Sequence, residues 1–241
     1  MKPEDLISEY EKIKKEKGPE AFKYFSRMLR ELKKEHKEYF STSPTARRAE
    51  AAGRVPDHEQ SWRAYKGKNL EHLIMHIIID QISELGLHVI NGNRLEKKQL
   101  LSEELSKVKR NLLVDYGEYG SHLPDVDLVI YNPSTFEVLA VVSSKVTLRE
   151  RIAQTGYWKL KLGSDSVTKN IKVYFLTLDE DGSLTKKQPL KKGRAIVETD
   201  LDGCYVLSEA VIEQSEKVKT FDKFIEDIAK IKTESSKLPI R

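Results

Sequence analysis

The chain has 241 residues, 39% apolar and 33% charged, with 42 basic against 38 acidic side chains and a formal net charge of +4. That composition excludes a disordered chain and allows one sizeable core with a small appendage, while the mild positive excess neither requires nor forbids a nucleic-acid partner. A single cysteine, Cys204, excludes an internal disulfide and a cysteine-built zinc cage, and no apolar run approaches the roughly 20 residues that span a bilayer, so a cytoplasmic protein with no membrane partner is expected.

Leu6, Ile7, Tyr10 and Ile13 keep helical spacing up to the break at Gly18-Pro19, and Phe22, Phe25, Met28, Leu29 and Leu32 form a second stripe. Two amphipathic helices follow from this, with lysine and glutamate outward. The polar linker STSPT and the segment ARRAEAAGR predict a third short helix ending near Gly53. A soft boundary is placed here, between an N-terminal helical region over 1–55 and a core over 56–241.

Asp57 is placed to cap the next helix, with Gln60 three residues on. The stripe Leu70, Leu73, Ile74, Ile77, Ile78, Ile82 and Leu85 then predicts a long core-facing helix ended by Gly86. LHVI reads as a short strand before the turn NGN, and LLSEELSKVKRNLL as a helix. DVDLVIY and EVLAVVSS are β runs joined by NPST, which has hairpin composition. A helix from about Leu148 to Leu162, the strand IKVYFLTL, the turn DEDG, a strand around GCYVL and a last helix FDKFIEDIAKI complete the reading. Strands alternating with helices imply an α/β core with a central mixed sheet flanked by helices. Cys204, inside GCYVL, is expected to be a buried small hydrophobe.

Asp125 and Asp127 stand two apart at the start of the first β run, so both point to one face, away from Val126, Leu128 and Ile130. Lys145 ends the second run, and Ser143 shares its face. If the hairpin pairs the runs antiparallel, the carboxylates and the lysine meet at one edge of the sheet. Carboxylate oxygens there suit Mg²⁺, which polarises a phosphodiester and acidifies a bound water, while a lysine orients or deprotonates the nucleophile. The same residue types are also common at solvated strand ends, and spacing alone does not separate the two readings.

PDVDLVIY…VLAVVSSK resembles the core of the PD-(D/E)XK nucleases. SSKVTLRER is similar to the variant found in type II restriction endonucleases of the CCGG-recognising group, and SWRAYKGKNLEHLI resembles a tryptophan-containing segment of that group. The resemblance implies that Asp127 is the principal metal ligand, Lys145 the catalytic lysine and Glu71 an auxiliary acid supplied by the long helix. Asp125, the one directly preceded by proline, is the fallback for Asp127. Ser143 occupies the place where many of these nucleases carry glutamate, and it could complete the metal shell together with a backbone carbonyl. Members of the group commonly place an acid twelve to fourteen positions beyond the lysine, yet no acid stands at 157–159 here, where the chain reads Tyr-Trp-Lys. Glu71 is therefore the expected second carboxylate, although it also flanks the apolar stripe as a solvated helix residue would.

Thr147 and Glu150 have capping-box spacing, which starts a helix near Leu148 and puts Arg149 and Arg151 in its first turn. Positive side chains at that end of a helix dipole cost about 0.3–1 kcal/mol. The resemblance supplies a compensating role: the two arginines read guanines through their donor forks, with Glu150 between them orienting the guanidiniums or accepting from cytosine. Without it, Glu150 only caps and the arginines are solvated or bind phosphate. Lys159, Lys161 and the lysines of LTKKQPLKKGR are candidates for phosphate contacts or for solubility alone.

Taken together, the expectation is a Mg²⁺-dependent, sequence-specific endonuclease of double-stranded DNA, a homodimer or higher symmetric oligomer whose two-fold matches a palindromic site. The N-terminal helices would contact DNA or build the oligomer. The alternatives on the same fold are a structure-selective repair nuclease or junction resolvase, and an inactive DNA-binding module.

Overall fold

The computed structural model describes residues 3–96, 101–148 and 151–235. Helices α1 (Pro3–Lys17) and α2 (Phe25–Ser41) are joined by a 3₁₀ turn that opens at Gly18-Pro19, and α3 (Pro44–Ala51) follows with Ser43 as its cap. Helix α4 (His58–Glu84) is one continuous element, started by the Asp57 carboxylate accepting from Gln60 N at 2.9 Å. It stops before Gly86, whose φ of 66° carries the chain out of the helix toward β1 (His88–Asn91).

The short α5 (Asn93–Glu96) and the Ser102-capped α6 (Glu103–Arg110) lead to a small hairpin of β2 (Val114–Asp115) and β3 (Ser121–His122). The main sheet continues with β4 (Leu128–Tyr131), β5 (Val138–Lys145), β6 (Lys172–Thr177), β7 (Gly203–Val206) and β8 (Val218–Thr220). Helix α7 (Arg151–Gly163) lies between β5 and β6, α8 (Lys192–Asp200) between β6 and β7, and α9 (Phe224–Ser235) closes the described chain.

The sheet has the order β1-β4-β5-β6-β7-β8, antiparallel from β1 to β5 and parallel from β5 to β8. It is the expected mixed sheet, and the NPST hairpin does pair β4 with β5 antiparallel, Leu128 facing Val142. Strand β5 is buried along all but its last residue because both faces of the sheet are covered. Leu128, Ile130, Ala140, Val142, Tyr174, Leu176 and Tyr205 pack on one face against α1, α2, α4 and α9. Val129, Val141, Val173, Phe175, Cys204 and Val206 pack on the other against α6, α7 and α8. The N-terminal helices thus share a core with the sheet: Leu6, Phe22, Phe25 and Leu29 join the same cluster as Leu70, Leu73 and Ile74. Cys204 is fully buried, as expected.

Helix α8 and strand β8 were not legible in the sequence. The lysines around α8 mask its inward face, where Val197 is apolar and Arg194 is fully buried, donating to the carbonyls of Leu184 and Glu213 and, at 3.2 Å, to Glu198. Among the described residues no helix is long and apolar enough to cross a membrane.

Candidate active site

Strand β5 carries Lys145 to the sheet edge beside the segment that enters β4. Lys145 Nζ donates to Asp127 Oδ1 at 3.1 Å and to Oδ2 at 2.9 Å. Asp127 is buried, and its backbone is fixed on both sides, N–H to the Val142 carbonyl at 3.0 Å and carbonyl from Gly92 N–H at 2.9 Å. Oδ2 also accepts from the Ser144 N–H at 2.6 Å and from the Ser144 hydroxyl at 3.2 Å.

Glu71 comes from the middle of α4. Its Oε1 lies 3.7 Å from Lys145 Nζ, which also contacts Asp127. Burial first, and then the charge of Asp127, push Glu71 up to about 7, against the opposing pull of Lys145. Two carboxylates sharing one lysine hold more negative charge than their surroundings neutralise comfortably. That is a donor set for a hard divalent cation, which takes one or two carboxylates and keeps several waters. Among the described residues no cluster of three or more His, Cys, Asp or Glu side chains that could hold a metal ion is found.

A narrow concavity beside these groups is lined by Asp125, Asp127, Ser143, Lys145, Arg151, Gln154 and Thr155. Asp125 and Asp127 do share a face, but their partners differ. Asp125 is exposed and accepts from Gln154 Nε2 at 2.8 Å, while Asp127 is buried against the lysine. Ser143 shares the lining with Lys145, whereas the serine that hydrogen-bonds Asp127 is Ser144. Sequence reasoning missed Ser144 because strand alternation puts it on the opposite face from Lys145, and its backbone N–H carries no signal in the side-chain pattern.

Arg151 opens α7 with its guanidinium exposed, and Nη1 donates to Gln154 Oε1 at 3.0 Å. Arg149 and Glu150 lie outside the described residues, and with them the Glu150 half of the capping box. Helix α7 is described from Arg151, and the Ile152 N–H donates to the Leu148 carbonyl at 3.2 Å. Lys159, one of the lysines considered for phosphate, is paired with Asp202 at 2.6 Å. Lys161 lies over the ring of Tyr116, 4.6 Å from its centroid, beside the exposed Tyr157. The other cavity of note, about 530 Å³ between α2, α4 and the ends of β6 and β7, is lined by Arg30, Lys33, Arg63 and Lys66, and Lys33 and Lys66 are paired there with Glu59 and Glu180.

A helix-flanked mixed sheet that brings a strand-end lysine, the aspartate entering the neighbouring strand and a glutamate of the long helix together is an arrangement that metal-assisted phosphodiester hydrolysis could use. Residues 104–227 match the family model described as BsaWI restriction endonuclease type 2. The chain is 41% identical over 177 residues to MjaVIP of Methanocaldococcus jannaschii, named a type II restriction enzyme, covering 71% of this chain and 77% of that one. It is 38% identical over 125 residues to HpyAORF263P of Helicobacter pylori, also named a type II restriction enzyme, covering 52% of this chain and 64% of that one. The solved structure of restriction endonuclease PspGI with substrate DNA superimposes with a TM-score of 0.58 at 14% identity, over 97% of this chain and 94% of that chain, a likeness of fold. The chain belongs to the BsaWI family of type II restriction endonucleases.

Proposed function

We propose that the protein is a Mg²⁺-dependent endonuclease that cuts double-stranded DNA at a palindrome that is CCGG-centred or similarly GC-containing, as a homodimer or higher symmetric oligomer. The observation that carries the reading is the contact of Lys145 with both Asp127 and Glu71 at the edge of the sheet. Asp127 and Glu71 would hold the cation, with the Ser143 hydroxyl or a neighbouring carbonyl adding a further oxygen. Bound there, Mg²⁺ supplies polarisation of the scissile phosphate and acidification of a water. Lys145 would orient the attacking water and stabilise charge growing on the phosphate oxygens. Asp127 in turn holds the ammonium, and Ser144 holds Asp127, so the lysine is aimed before substrate arrives. Asp125, turned toward Gln154, is the weaker candidate for the metal.

Arg149, Glu150 and Arg151 are the proposed base readers. What supports this is the place of Arg151, exposed at the start of α7 and lining the same concavity as Asp127 and Lys145. Arginine's fork matches guanine O6 and N7, a pairing that discriminates by about 1–3 kcal/mol. The N-terminal region over 1–55 is assigned to DNA contact or to the oligomer. A plasmid of known sequence, digested in Mg²⁺, should yield discrete fragments whose sequenced ends define one palindrome. EDTA or Lys145→Ala should abolish them. A smear, or cleavage that survives Lys145→Ala, would sink the proposal, and cutting confined to branched DNA would indicate a structure-selective nuclease instead.

A further inference from the structure

We infer that Gln154 is a positioning residue that ties the base-reading Arg151 to Asp125, and through it to the segment that carries Asp127. The inference rests on the proposed role of Arg151 in reading bases. Arg151 and Gln154 are three apart on α7, hence on one face, and the arginine donates to the amide oxygen at 3.0 Å. The same amide donates through Nε2 to Asp125 Oδ2 at 2.8 Å. A primary amide suits this place because it accepts from a guanidinium and donates to a carboxylate at once, and the two charged partners decide which way it points.

The far end of this bridge is held stiffly. Asp125, Val126 and Asp127 are consecutive. Gly92 lies against the Val126 carbonyl and donates to the Asp127 carbonyl at 2.9 Å, while the Asp127 carboxylate is held by Ser144 and Lys145. Gln154 joins this segment to α7 through a side-chain hydrogen bond that can exchange partners. A guanidinium that turns to a guanine therefore pulls on the amide, and the pull reaches the backbone two residues from Asp127. In free protein Arg151 and Asp125 are exposed, so water competes and the bridge adds little to stability. Bound DNA would shield the same hydrogen bonds from water and strengthen them, which places the effect in the complex. Asp125 then serves recognition rather than the metal.

The test uses the full-length protein and short duplexes carrying either the site read from plasmid ends or that site with one base pair changed. Single-turnover cleavage is measured in Mg²⁺, binding is measured in Ca²⁺, and thermal midpoints are recorded for every variant. Gln154→Leu and Gln154→Glu should each lower the ratio of cognate to altered-site cleavage at least tenfold with an unchanged thermal midpoint. Asp125→Asn combined with Gln154→Glu should recover most of that ratio, because the introduced carboxylate accepts from both Arg151 and the introduced amide. A merely structural role would give no such rescue. If Arg151→Ala relaxes base choice but Gln154→Leu keeps the wild-type ratio, or if the double variant stays as impaired as the single ones, the inference is overturned alone. If Arg151→Ala weakens binding to both duplexes equally, the base-reading proposal falls and the inference with it.

Discussion

Gly92 and the Val126 carbonyl are in such close approach that a Cβ on Gly92 would stand 2.1 Å from the carbonyl oxygen. Nothing at that spot can yield cheaply, since the obstacle is backbone and the next residue, Asp127, is bonded to Gly92 as well. Gly92→Ala should therefore shift the segment that holds Asp127. We expect a stability loss of about 1–3 kcal/mol, as for an overpacked site. The loss of cleavage should exceed what the unfolded fraction explains. Chemical denaturation alongside single-turnover cleavage of the same preparation checks both.

Glu71→Gln preserves size while removing the second carboxylate beside Lys145 and Asp127. The Mg²⁺ concentration for half-maximal cleavage should rise, with a rate loss on the order of 10²-fold at saturating metal. DNA affinity in Ca²⁺ should be maintained. A variant with wild-type metal dependence would remove Glu71 from the proposed ligand set.

Lys145→Ala should abolish cleavage, by about 10²–10⁴-fold, while DNA binding persists. The predicted asymmetry with Glu71→Gln is informative: extra Mg²⁺ should partly rescue the glutamine variant and do nothing for the alanine variant. Titrating Mg²⁺ against rate for both proteins reads this directly.

Asp179, beyond the end of β6, has a buried carboxylate that accepts from Ser183 N–H at 2.8 Å and Leu184 N–H at 2.9 Å in a residue with φ of 50°. Burial outweighs those hydrogen bonds and pushes Asp179 up to about 6. A carboxyl raised on folding contributes stability below its unfolded value near 3.8, and that contribution is lost as pH rises through about 6. Asn tolerates the same backbone and carries no proton to lose. The stability of Asp179→Asn relative to wild type should therefore climb between pH 4 and about 7, by on the order of 1–2 kcal/mol. A flat difference across urea titrations in that window would contradict it.

His36, buried in α2, lies 3.2 Å through Nδ1 from Nε2 of His58 at the start of α4, and its ring packs against Phe40, Trp62 and Tyr65. Burial and then His58 hold His36 below the usual histidine range. A histidine depressed on folding contributes stability above about 6.5 that is lost as pH falls through its folded value. His36→Phe should flatten that acid limb and leave cleavage at neutral pH unchanged. Thermal melts from pH 7.5 to 5 test it.

Periodicity made much of this molecule legible. The α4 stripe, the capping role of Asp57, the β4–β5 hairpin and the approach of the Asp125/Asp127 pair to Lys145 follow from local spacing, because a two-residue strand period and a hairpin turn place side chains without help from the rest of the chain, although that spacing does not say which aspartate takes the lysine. Helix α8 was illegible because its buried face is built around Arg194, a residue that reads as solvated until the carbonyls of Leu184 and Glu213 are seen to receive it. Ser144 was passed over for Ser143 because its bond to Asp127 runs partly through a backbone N–H.

By itself the sequence determined the mixed α/β class, the positions of the two aspartates relative to the lysine, and the missing acid at 157–159. Tertiary structure alone decided that Glu71, 74 positions before Lys145 in the chain (145 − 71), comes within 3.7 Å of it. It also decided that Asp125 turns to Gln154 while Asp127 takes the lysine. The physical reason is that strand alternation orders side chains along one element, whereas contacts between elements depend on how α4 and α7 pack on opposite faces of the sheet. Only that packing sets which carboxylate meets which partner.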